Sequence, residues 1–175
     1  MKTIKHFAWI PLIVFFACKK PFNSPNVIDT GIYLAMTNSK GVDLLNPVNP
    51  ESYKPDSIRI YYLKNGKKEE IYIPNLDYPR KFVIKKNNGN NRYFLQLFLD
   101  EGTYDREITT TYIQWNSQKE DTIRCEMNRY LSQNTVYCEK VWFNGILKFD
   151  DATQSTGTNW GDGIFHRLIE ISHGE

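Results

Sequence analysis

Ile58-Arg59-Ile60-Tyr61-Tyr62-Leu63-Lys64-Asn65-Gly66-Lys67-Lys68-Glu69-Glu70-Ile71-Tyr72-Ile73 reads as two strands folded about a two-residue turn. Asn and Gly both tolerate the positive φ that a type I′ turn demands, and the twist of that turn matches the strands it joins. A two-residue loop fixes the register. Ile60 then faces Ile71 and Ile58 faces Ile73 on one side, while Tyr61 faces Glu70 and Arg59 faces Tyr72 on the other. Both isoleucine pairs land on one face, as a strand pair with one buried side requires.

The same reading extends along the chain. Upstream, Ile28, Thr30, Ile32, Leu34 and Met36 share one face at period two, and Asn46-Pro47-Val48-Asn49-Pro50 must be a loop. Downstream, Phe82 to Ile84 and Tyr93 to Leu99 form a second hairpin through the polar loop Asn87 to Asn91. The second arm carries Leu95 and Leu97 on one face and Phe94 and Phe98 on the other, so it is expected to be covered on both sides and central in its sheet. Further strands are expected at Ile108 to Trp115, Thr122 to Met127, Val136 to Phe143 and Ile146 to Phe149, the last two joined by Asn144-Gly145. The stretch Ile164 to Ser172 also reads as strand. Together these elements predict an all-β domain, an antiparallel β-sandwich of about eight or nine strands, immunoglobulin-like or similar.

Ahead of this domain, Lys2 and Lys5 precede an apolar stretch from Phe7 to Ala17, which ends at Cys18. Eleven residues between His6 and Cys18, broken by Pro11, are too few to span a bilayer. The pattern predicts a lipoprotein signal over residues 1–17, with a lipid on Cys18 and a spacer over 18–27 before a single domain at 28–175. An ordinary secretory signal cut elsewhere is the alternative. Cleavage before Cys18 leaves 158 residues with 20 basic against 20 acidic side chains, a balance that argues against nucleic acid as a partner.

Cys125 and Cys138 are the cysteines that remain. An exported chain meets an oxidising compartment, and pairing Cys125 opposite Cys138 sets Arg124 against Glu139 and Met127 against Val136. A disulfide is expected, with two buried thiols as the alternative.

The search for chemistry returns little. His166 with Asp162 and His173 has no recognised ligand spacing, and His173 falls in a Ser172-His173-Gly174-Glu175 tail expected to be loose. Asp150, Asp151 and Asp162 flank a polar loop whose oxygens suit either calcium or the loop's own backbone. No nucleophile elbow or phosphate loop is present. No metal, cofactor or catalytic residue is therefore expected. The excess is aromatic, at 14% of the chain. Arg59, Tyr61 and Tyr72, sharing the outward face of the first hairpin, are the candidate binding residues; cover by a second sheet is the competing explanation.

The leader, the Gly41-Val42-Asp43-Leu44-Leu45-Asn46-Pro47 segment and the Ile58-Arg59-Ile60-Tyr61-Tyr62 strand resemble small uncharacterised lipoproteins of Bacteroidota. That resemblance implies a tethered β-rich domain and supplies no catalytic residues. The expectation is an exported chain, lipid-anchored to the envelope at the outer membrane. Lys19-Lys20-Pro21 leaves its leaflet open, since acidic residues there direct surface display in some members of that phylum. Two functions fit: a non-catalytic binding or structural module for a glycan, peptide or envelope protein, or a hydrolase of an envelope polymer with an unrecognised site.

Overall fold

The computed structural model describes residues 27–130 and 135–173; residues 1–17, Cys18 and the spacer through residue 26 lie outside them, as do Gly174 and Glu175. Thirteen strands run through the described residues: β1 (Val27–Asp29), β2 (Gly31–Asn38), β3 (Arg59–Lys64), β4 (Lys67–Glu70), β5 (Phe82–Lys86), β6 (Tyr93–Phe98), β7 (Arg106–Gln114), β8 (Glu120–Tyr130), β9 (Thr135–Phe143), β10 (Ile146–Asp150), β11 (Thr158–Trp160), β12 (Gly163–Phe165) and β13 (Leu168–His173). One helical turn, α1 (Asp151–Gln154), follows β10.

Two sheets make the sandwich. The larger runs β1-β9-β8-β7-β3-β4, with β10 also paired to β9, and the smaller runs β13-β2-β6-β5. Period-two alternation sends Ile60, Ile113, Ile123 and Val141 from the first inward to meet Leu34, Leu95, Leu97 and Ile169 from the second in one core. Trp115 is fully buried there. Tyr62 ties the layers together, its hydroxyl donating to the Phe98 carbonyl at 2.8 Å. Burial, with Asp100 and Glu101 nearby, raises that phenol well above its usual pKa and keeps the donor protonated.

A third layer covers only the smaller sheet. The β11–β12 hairpin lays Trp160 and Phe165 on Ala35, Phe94 and Tyr33, with Phe94 and Trp160 ring centroids 5.9 Å apart. β6 is thus interior to its sheet and covered on both faces, as its sequence indicates. The outer face of the seven-stranded sheet has no such cover among the described residues. It is instead held by cross-strand pairs, such as Arg106 with Glu126 at 2.7 Å and Glu139 at 2.8 Å.

Three local expectations need correction. The alternating stretch from Ile28 to Met36 is two strands in different sheets, broken at Thr30. Arg167 clamps the break, its guanidinium gripping the Asp29 carboxylate and the Gly31 carbonyl at 3.0 Å. The first hairpin keeps its Tyr61–Glu70 register, and Ile71 N donates to Ile60 O at 2.9 Å, but pairing stops there. Pro74 brings no donor, and Ile73 N turns to the Pro79 carbonyl at 2.8 Å, so the Ile58–Ile73 and Arg59–Tyr72 pairs do not form. Finally, Cys125 and Cys138 are bridged, but diagonally. Cys125 lies opposite Val141 and Cys138 opposite Met127, because a bulge in the ladder at Glu126/Met127 makes Glu139 the extra residue and points it at Arg106 instead of Arg124.

Candidate binding surface

Alternation along β3 puts Ile60 and Tyr62 in the core, so Arg59 and Tyr61 face outward from the larger sheet. Neither side chain is idle. The Tyr61 hydroxyl donates to Gln114 Oε1 at 3.0 Å, and Arg59 donates to the Asp56 and Ile58 carbonyls while its Nε sits 3.4 Å from Glu70. Beside them Tyr112 lies under Lys68, whose ammonium is 3.9 Å from the ring centroid and also pairs with Glu120. Cross-strand neighbours already use much of this patch.

Tyr72 is different. It is 58% exposed, and its ring lies 5.8 Å from the Arg80 guanidinium. Among the described residues no hydrogen bond or ring contact joins it to Arg59 or Tyr61. The two groups are linked only through Asp56, whose carbonyl bonds Arg59 and whose side lines the cleft that Tyr72 guards. That cleft, about 470 Å³, runs between the Pro55–Ser57 turn ahead of β3 and the strand β5, lined by Tyr72, Arg80, Phe82 and Ile84. Arg80 Nε is buried and has no hydrogen-bond partner among the described residues.

β5 is the last strand of its sheet. Phe98 N donates to Lys81 O and Asn87 N to Arg92 O, so residues 81, 83, 85 and 87 bond toward β6. The backbone groups of Phe82, Ile84 and Lys86 therefore point to the open edge. Arg80-Lys81 precede this strand and Lys85-Lys86 close it, which makes the edge basic.

His173 is not in a loose tail. It ends β13 with its side chain 10% exposed, Nε2 3.0 Å from Asp121 Oδ2 and Nδ1 3.0 Å from the Tyr53 hydroxyl. Asp121 also accepts from Trp115 Nε1 at 2.7 Å and Asn144 Nδ2 at 2.8 Å. Burial alone would raise the Asp121 carboxyl; the bonds from His173, Asn144 and Trp115 outweigh it and hold the group below its ordinary range. Burial first, and then the Asp121 charge, raise the Tyr53 phenol, the opposite of what a nucleophile or general base needs. The chain Tyr53–His173–Asp121 reads as a pin between sheets, and sequence reasoning missed it because its members lie 52 to 120 residues apart.

The acidic loop divides its roles. Asp150 caps α1, accepting from Ala152 N at 3.1 Å, and sits 3.1 Å from Lys140. Asp151, Ser155 and His166 line a second cleft of about 480 Å³ beside Asp29 and Arg167. Among the described residues no hydrogen bond joins Ser155, His166 and Asp151, so they are not assembled as nucleophile, base and orienter. Compared with known proteins, the chain matches no family model, no curated protein and no solved structure.

Proposed function

We propose that this chain is a non-catalytic binding module, exported and lipid-anchored to the bacterial envelope through Cys18, that holds a partner protein by an extended acidic segment laid along β5. The carrying observation is the open, basic strand edge beside an apolar cleft. An added strand gains backbone hydrogen bonds from Phe82, Ile84 and Lys86, and sets alternate apolar side chains against the cleft. Arg80, which lines the cleft, offers its positive charge to a carboxylate of the incoming segment, and the flanking lysines favour acid over base. Exposed Tyr72 supplies a rigid ring at the rim, with Arg59 and Tyr61 bordering the contact through Asp56.

Titration with a short capped peptide alternating Glu and Val, followed by amide NMR, tests this reading. The Phe82, Ile84 and Lys86 amide signals are expected to shift and gain exchange protection, while a Lys-Val peptide leaves them unmoved. Arg80→Ala and Tyr72→Ala each weaken binding by about tenfold with little change in melting temperature. Equal binding of both peptides, or shifts elsewhere on the surface, overturns the proposal.

A further inference from the structure

The chain contains three Asn-Gly pairs, Asn65-Gly66, Asn88-Gly89 and Asn144-Gly145. Such a pair is reactive in any peptide, because a glycine carries no Cβ to hinder attack by its amide nitrogen on the preceding Asn side-chain carbonyl. Attack needs two freedoms. The Asn side chain must be able to swing over its own backbone, and the Gly N–H must not already be committed. On these two counts the fold treats the three pairs differently.

Asn144-Gly145 is held by its side chain. Asn144 Nδ2 donates to Asp121 Oδ1 at 2.8 Å and its Oδ1 accepts from Thr122 N at 2.8 Å, so both ends of the amide are fixed. Asn88-Gly89 is held by its nucleophile. Gly89 N donates to Asn87 Oδ1 at 3.0 Å, and a Cβ placed on Gly89 would fall 2.4 Å from Asp162 N, so this main chain is tightly packed as well. Asn65-Gly66 carries neither restraint. Both residues are exposed at the tip of the β3–β4 hairpin, and apart from chain neighbours nothing lies within 4 Å of a Cβ built on Gly66. Among the described residues neither the Asn65 side chain nor Gly66 N forms a hydrogen bond. Backbone shape does not separate the first pair from the last: φ is 50° and 76° at residues 65 and 66, and 48° and 81° at 144 and 145.

We infer that Asn65 is a site of self-modification that deamidates in the folded protein, while the fold protects Asn88 and Asn144. Gly66 N bonds to Asn65 Cγ as the Cγ–Nδ2 bond breaks, and the proton it gives up leaves with the side-chain nitrogen as ammonia. Water then opens the resulting succinimide at either carbonyl carbon, leaving aspartate or isoaspartate. The new charge is tolerated there, between Lys64 and Lys67. At residue 144 the same product would set a carboxylate where an amide now donates to Asp121, turning a hydrogen bond into a repulsion.

Peptide mapping by mass spectrometry, on purified folded protein held in warm, mildly alkaline buffer, is the test. The Asn65 peptide is expected to gain one mass unit and to split chromatographically into aspartate and isoaspartate forms. The Asn88 and Asn144 peptides are expected to react at least about tenfold more slowly, the factor that a local opening cost of about 1.4 kcal/mol imposes. In guanidinium chloride, where the restraining bonds are gone, all three react at similar rates. The inference is overturned if Asn88 or Asn144 keeps pace with Asn65 in the folded protein, if Asn65 stays intact there while reacting in denaturant, or if the three differ as much unfolded as folded.

Discussion

Asn87 ties the third layer to the loop between β5 and β6. The residue is 2% exposed; Nδ2 donates to the Trp160 carbonyl at 2.9 Å, and Oδ1 accepts from the backbone of Gly89, Asn90 and Asp162 at 3.0 to 3.3 Å. Four backbone groups from two loops thus depend on one amide. The close approach is possible because residue 161 is glycine: its φ is +64°, and a Cβ there falls 1.9 Å from Asn87 Oδ1. Asn87→Ala removes four hydrogen bonds at once, the one to the Trp160 carbonyl fully buried, and is expected to cost on the order of 3 kcal/mol in urea unfolding. Gly161→Ala breaks the same lock by strain and clash, so the double variant should cost much less than the sum of the two. Trp160 emission should shift to the red in both. Additive losses, or a loss below about 1 kcal/mol for Asn87→Ala, contradict the lock. None of this is legible in Asn87-Asn88-Gly89-Asn90-Asn91, which reads only as a polar loop.

At the scale of the element, β13 shows what period-two reading delivers and what it omits. Ile164 to Ser172 reads as strand although its period is ambiguous, and the structure breaks it into β12 and β13 around Arg167 at φ +59°. Its partner is invisible in sequence: β13 runs parallel to β2, Ile169 beside Leu34, because parallel neighbours need no turn to announce them. Both Asn-Gly turns were readable, with φ of 50° and 76° at residues 65 and 66 and of 48° and 81° at 144 and 145, since there the local chemistry dictates the shape. The candidate surface divides in the same way. Alternation places Arg59 and Tyr61 outward, whereas Tyr72 depends on where Pro74 sends the chain. The β13 pin also has a pH signature. Asp121 has an ordinary carboxyl value of 3.8 in the unfolded chain and a lower one when folded, so it binds protons more readily unfolded in acid. Its contribution is fully present above that ordinary value and is lost as pH falls through the lower folded value. Asp121→Asn should therefore be less stable at neutral pH yet lose less on acidification below about pH 4. Parallel acid-unfolding curves for the two proteins contradict the assignment.

Over the whole molecule, the layers are unequal: the smaller sheet lies between the core and the β11–β12 hairpin, while the larger keeps a solvated face of paired charges and tyrosines. The proposed anchor on Cys18 sits nine residues ahead of Val27, the first residue of β1. Membrane-extracted protein is expected to give an intact mass for a chain that begins at an acylated Cys18, and Cys18→Ala to leave the membrane fraction; a Cys18→Ala protein that is cleaved and still retained there contradicts the anchor. The pairing of β2 with β13 also sets a timetable. Residues 31–38 cannot complete their sheet until residues 168–173 have been delivered, and the His173 pin needs the end of that same strand. A chain threaded through a narrow translocation channel from its amino end thus carries most of its length across before its smaller sheet can close. If the chain is exported as proposed, late closure would keep it threadable in transit and withhold the finished fold until the far side is reached.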